Sequence, residues 1–86
     1  MEALKVSSKS DPKLVAGAIA AVLRNGAPVE VNAIGASAVN QAVKSIAVAK
    51  NYVSQNDIDL ICIPMFAQLE VGGSEKTSIR FVVEKR

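Results

Sequence analysis

The apolar positions of the chain change period along its length, and the changes mark out six elements. In residues 3–7, Leu4 and Val6 alternate with Lys5, which predicts a strand covered on one face. Ser8-Lys9-Ser10-Asp11-Pro12 breaks that pattern; Asp11 suits a helix N-cap and Pro12 the first helical position. A helix is expected to run to about Arg24, with Leu14, Val15, Ala18, Ile19, Val22 and Leu23 as its core stripe, ended by Asn25-Gly26. Residues 29–34 predict a second strand, Val29, Val31 and Ala33 inward, Glu30 and Asn32 at the surface. Gly35-Ala36-Ser37 turns into a second helix over residues 38–53. Its inward positions are Val39, Ala42, Val43, Ile46, Ala49 or Lys50, and Val53, and its polar face carries Asn40, Gln41, Lys44 and Asn51. Residues 58–71 predict a third strand with Pro64 inside it, and Gly72-Gly73 a two-residue hairpin turn. Residues 76–84 predict the fourth strand, with Thr77, Ile79, Phe81 and Val83 inward.

The order β-α-β-α-β-β, with a right-handed first crossover, predicts an α/β two-layer sandwich: a four-stranded mixed sheet with both helices on one face. Pro64 cannot donate to a ladder, so the third strand belongs at a sheet edge. No linker, low-complexity tract or repeat interrupts the chain, and residues 1–86 read as one domain.

Two features are left over. The first helix has no polar residue between Lys13 and Arg24, so its outer face would be Ala16, Gly17, Ala20 and Ala21. A helix apolar all round is usually buried, which reads as an oligomer interface where small residues allow close approach. The alternative is an Ala-rich surface helix, since Ala is the best helix former. The open face of the sheet would hold Lys5, Asn32, Asp59, Arg80 and Val82 beside Ile61 and Ile63, two isoleucines that form a contact surface or are covered by the chain's own loops.

Composition narrows the chemistry. Half of the 86 residues are hydrophobic but only 3% are aromatic, so the core is aliphatic and large enough to stand without disulfide or metal. A single cysteine, Cys62, forms no internal disulfide and reads as a small core residue. The absence of His removes Ser-His and Cys-His nucleophile pairs and His-ligated metal. The longest apolar stretch, residues 14–23, is half of a membrane span, and the N-terminus lacks the basic and apolar regions of a signal peptide, so the expectation is cytoplasmic. A net charge of +2 permits nucleic-acid binding without demanding it.

Gly35-Ala36-Ser37-Ala38, between strand and helix, is a turn that presents backbone N–H groups to an anion, or an ordinary turn in which Ser37 caps the helix. Lys9 lies in the loop before the first helix, Lys13 opens that helix and Lys44 lies on the second. Parallel strands start both helices at one sheet edge, where these groups converge and where open α/β sheets bind ligands. Lysines and small hydroxyls match a phosphate backbone. Asp57 and Asp59 read as solvated, and Ser37 and Lys44 stand too far apart on a helix to pair. No nucleophile, base and orienter assemble, so a non-enzymatic binder without cofactor or metal is expected.

Three segments carry a resemblance: Leu4-Lys5-Val6-Ser7 with Val15-Ala16-Gly17-Ala18-Ile19-Ala20-Ala21-Val22-Leu23-Arg24; Ala33-Ile34-Gly35-Ala36-Ser37-Ala38-Val39-Asn40-Gln41-Ala42-Val43-Lys44-Ser45-Ile46-Ala47-Val48-Ala49; and Asp59-Leu60-Ile61-Cys62-Ile63-Pro64. Together they resemble the stage V sporulation protein S family of bacteria. The second segment, Gly35-x-x-Ala38-Val39-x-x-Ala42-Val43, also resembles the Alba superfamily of chromatin and RNA-binding proteins. That resemblance implies sheet order 1-2-4-3, a homodimer or homotetramer, and a DNA or RNA partner met by Lys9, with Asn40 and Lys44 near the same surface. The combined implication is a nucleic-acid-binding regulator in sporulation or related developmental control, with no membrane partner. It departs from the Alba pattern in having one lysine, not two, in the first loop, and in a tight Gly72-Gly73 turn flanked by Glu70 and Glu75 where that superfamily commonly has a longer basic arm. The alternative is an oligomeric scaffold that regulates a protein partner, and a third reading is a small-anion sensor at the Gly35 turn.

Overall fold

A computed structural model covers Met1–Arg86. The elements run β1 (Glu2–Val6), α1 (Pro12–Arg24), β2 (Val29–Ala33), α2 (Ala36–Ser54), β3 (Leu60–Val71) and β4 (Ser74–Lys85). They form a four-stranded sheet in the order β1-β2-β4-β3. β1 and β2 are parallel, and β4 runs antiparallel to both of its neighbours. Val6, Val29, Val31, Ala33, Phe81 and Val83 point to one side of the sheet and share a single apolar cluster with both helices. The helices therefore occupy one face, as the crossover rule requires.

Pro64 lies in β3, and β3 is an edge strand. Gly72 and Gly73 have φ of 59° and 80°, the left-handed conformation that a type I′ hairpin turn needs at both positions. Such a turn makes Val71 and Ser74 a hydrogen-bonded pair, and the ladder alternates without a bulge back to Leu60 and Lys85. Pro64 opposite Phe81 is then a non-hydrogen-bonded pair, so its ring nitrogen faces the open edge and the β3–β4 ladder loses nothing.

The helix phases differ from the sequence expectation. In α1 the buried positions are Ala16, Ile19, Ala20, Val22 and Leu23, while Leu14 is 75% exposed and Gly17, Ala18 and Ala21 are also exposed. Ala16 and Ala20, expected on an outer interface with Gly17 and Ala21, are in the core instead. Alanines at these sites let the helix backbones approach closely, whereas Leu14 would hold them apart. In α2, Ser45 is fully buried and Val43 half-exposed. The Ser45 hydroxyl donates to the Gln41 carbonyl at 2.7 Å, which satisfies it inside the core.

The sheet holds two further departures. Asn32, expected at the surface, is only 5% exposed. Its amide donates to Glu30 Oε2 at 3.0 Å and its Oδ1 accepts from Arg80 Nε at 3.1 Å, while Arg80 also pairs with Glu30 at 3.0 Å. Cys62, expected in the core, is exposed. It shares the helix-side face of the sheet with Val83, its cross-strand partner, but the helices leave most of β3 uncovered. Thr77 is exposed for a related reason: β2 pairs with β4 only over Ile79 to Val83.

Beyond β2, five residue pairs of the β3–β4 hairpin, Ala67↔Ser78 to Val71↔Ser74, form an arm. The hairpin is thus long, although its tip is acidic and its turn tight. Leu69, Glu70 and Val71 share a hollow of about 210 Å³ with Ala3, Leu4, Lys5 and Asn32, so the arm curls over the open face towards β1.

Candidate functional site

The carboxyl ends of β1 and β2 lie side by side, Val6 opposite Ala33. Each leads through a short connection into a helix. After β1 the loop is closed by its own hydroxyls. Ser7 N–H donates to Ser10 Oγ at 2.9 Å, Lys9 N–H donates to Ser7 Oγ at 3.2 Å, and Ser10 N–H donates to the Ser7 carbonyl at 3.1 Å. Asp11 caps α1 as expected, accepting from Lys13 N–H at 3.0 Å. Lys9 is therefore held on a compact loop of short side chains with its own side chain exposed.

After β2 the N-cap of α2 is Gly35, at φ 90°, with no side chain capping the helix. Ser37 lies within the first turn, so it is not the expected cap. The opening N–H groups of a helix have no partner inside it, and they carry the positive end of its dipole. Gly35, Ala36, Ser37 and Ala38 line an open cavity of about 420 Å³, together with Lys5, Val6, Ser7, Ser8 and Ile34.

The structure thus joins the Gly35 and Ser37 turn to the serines of the first loop. Lys9 and Lys13 do not line this cavity; Lys9 follows its lining residue Ser8 in the chain, and Lys13 lies in the first turn of α1. Asn40 and Lys44 are exposed further along α2, Lys44 about 12 Å from its first residue at 1.5 Å rise per residue. Lys9, Lys13 and Lys44 enter no ion pair; the three ion pairs present use Lys50, Arg80 and Arg86.

Two residues escaped the sequence reading. Alternation places Lys5 only on the open sheet face, yet it lines the cavity because it sits next to the last residue of β1. Gln41 falls on the expected polar face of α2, but its Nε2 donates to the Ser10 carbonyl at 2.9 Å and ties α2 to the Lys9 loop. Nothing local in the sequence marks that bond, whose partners are 31 residues apart. The proposed interface on α1 is split by the helix phase: Gly17 and Ala21 are exposed beside Leu14 and Ala18, while Ala16 and Ala20 are in the core.

No helix is long and apolar enough to cross a membrane. No group of three or more His, Cys, Asp or Glu side chains is placed to hold a metal ion. The family model described as stage V sporulation protein S matches residues 2–86, nearly the whole length, and the chain belongs to that family.

Proposed function

We propose that this protein is a non-enzymatic, nucleic-acid-binding regulator that meets a phosphate backbone at the carboxyl edge of its sheet. Its family supports a role related to sporulation. The observation that carries the nucleic-acid reading is the uncapped start of α2 with unpaired cations on the same sheet edge and further along the helix. Lys9, Lys13 and Lys44 have no acidic partner. Lys5, Gly35 and Ser37 line the cavity beside them, and Asn40 is exposed on the next turn of α2. Phosphates are met by such groups, whereas base identity needs side chains aimed at base edges, and the sequence holds no recognisable base-reading motif.

The test is a titration of labelled duplex DNA, single-stranded DNA and RNA by fluorescence anisotropy across a salt series. The wild-type chain is compared with a Lys9→Ala, Lys44→Ala double variant. The expected result is binding that weakens with salt, and a log–log salt slope shallower by about 1.4 to 1.8 in the variant, at about 0.7 to 0.9 per phosphate contact. No binding to any of the three at low salt overturns this reading.

A second reading, an oligomeric scaffold in developmental regulation, draws on Leu14, 75% exposed on an α1 face with Gly17, Ala18 and Ala21. Light scattering on the same samples distinguishes it: a stable homodimer or homotetramer, indifferent to salt and nucleic acid, favours the scaffold.

A further inference from the structure

One cross-strand row connects the carboxyl edge of the sheet to an exposed aromatic. Val6 pairs with Ala33, Ala33 with Ile79, and Ile79 with Phe66. Paired residues share a face of the sheet, so this row lies on the helix side, level with the ends of β1 and β2 from which the Lys9 loop and the Gly35 turn depart. Val6 and Ala33 are buried under the helices, but Phe66 is 79% exposed because the helices cover β3 only at its start, where Leu60 joins the core. The chain has only two other aromatics, Phe81 in the core and Tyr52 packed against it. Strands lie ~4.8 Å apart, which puts Phe66 ~10 Å from the end of β2 and ~14 Å from the end of β1. A few unstacked nucleotides cover that distance.

We infer that the ligand class of this edge is single-stranded nucleic acid, with the backbone on the Lys9, Lys13 and Gly35 side and a base stacked on Phe66. The inference rests on the nucleic-acid reading proposed above and adds the strand state. The cations on that edge are unpaired and complement a phosphate chain. A flat aromatic ring stacks on the face of any unpaired base, whereas a duplex keeps its base faces buried. The hairpin arm is not built to embrace a duplex either. Its tip carries Glu70 and Glu75, which repel a phosphate backbone, and the arm curls towards β1.

The experiment uses the intact chain and three variants, Phe66→Ala, Phe66→Tyr and Phe66→Trp, the last a unique tryptophan in a chain that has none. The probes are oligouridine, oligothymidine, an abasic deoxyribose-phosphate strand of equal length, and a duplex. The wild-type chain is expected to bind either base-bearing strand more tightly than the abasic strand or the duplex. Phe66→Ala weakens base-bearing strands by roughly fivefold to a hundredfold and leaves the abasic strand unchanged. Phe66→Tyr restores binding, and the Phe66→Trp emission is quenched as a base-bearing strand saturates it. If the wild-type chain binds and Phe66→Ala binds every probe equally well, stacking is overturned while the phosphate edge survives. A Phe66→Ala variant whose only change is a lower molar mass by light scattering also overturns it, since Phe66 is then a self-association contact. If the wild-type chain binds none of the four, the nucleic-acid reading itself falls, and this inference with it.

Discussion

Replacing Ile19 and Leu14 by alanine, one at a time, tests how α1 sits on the sheet. The two residues lie in one helix and are of equal size, but Ile19 is fully buried and Leu14 is 75% exposed. Ile19→Ala removes three carbons from the core. At about 0.8 kcal/mol for each buried methylene the transfer loss is about 2.4 kcal/mol. The unfilled cavity adds to it, giving a total of about 3 to 4 kcal/mol. In a domain of this size each kcal/mol lowers Tm by about 4 to 8 °C, so a fall of about 12 to 30 °C is expected. Leu14→Ala leaves no cavity, and a surface change of that kind stays within about 0.5 kcal/mol, or less than about 4 °C. Thermal unfolding by circular dichroism, with urea titration to check that the slope is unchanged, measures both. Equal losses in the two variants would refute the structure's phase and restore the stripe in which Leu14 and Ile19 are both inward.

Asn32→Ala strips two hydrogen bonds from the Glu30–Arg80 pair and leaves them partly buried beside a gap. A loss of about 1 to 3 kcal/mol in urea unfolding is expected, and an unchanged midpoint would show that water replaces the amide without penalty. Cys62, exposed on the edge strand, is expected to react with a thiol reagent in the native state, without prior unfolding; modification only on unfolding would return it to the core.

The parts of the fold that were legible in the sequence are those with a local physical marker. Asp11-Pro12 opens α1, Gly72-Gly73 closes the hairpin at positive φ, and Pro64 lies on the edge that its missing N–H requires. Where the marker is absent the reading slips. Between Lys13 and Arg24 every residue is apolar or glycine, so no polar position fixes the phase of α1, and size alone points the larger side chains inward. Close helix packing favoured Ala16 and Ala20 instead. Alternation in β3 correctly places Cys62 on the helix side, but it does not say how far the helices extend across the sheet. For the site, the Gly35 turn and the loop serines were legible because parallel strands place both connections at one edge. The Gln41–Ser10 tie and the packing that buries Asn32 depend on residues distant in the chain.

The ring at Pro64 has a consequence for the chain in crowded solution. β3 offers a twelve-residue border along which another strand would find ready partners, with Ile63, Met65 and Phe66 to reward the contact. Along that border the outward donors fall at every second residue, and Pro64 deletes one near the middle of the apolar run. A strand arriving from outside meets a missing bond and a projecting ring at the point where its grip would be firmest. Edge-to-edge pairing is disfavoured at that point, so the proline protects the sheet where its exposed border is most apolar.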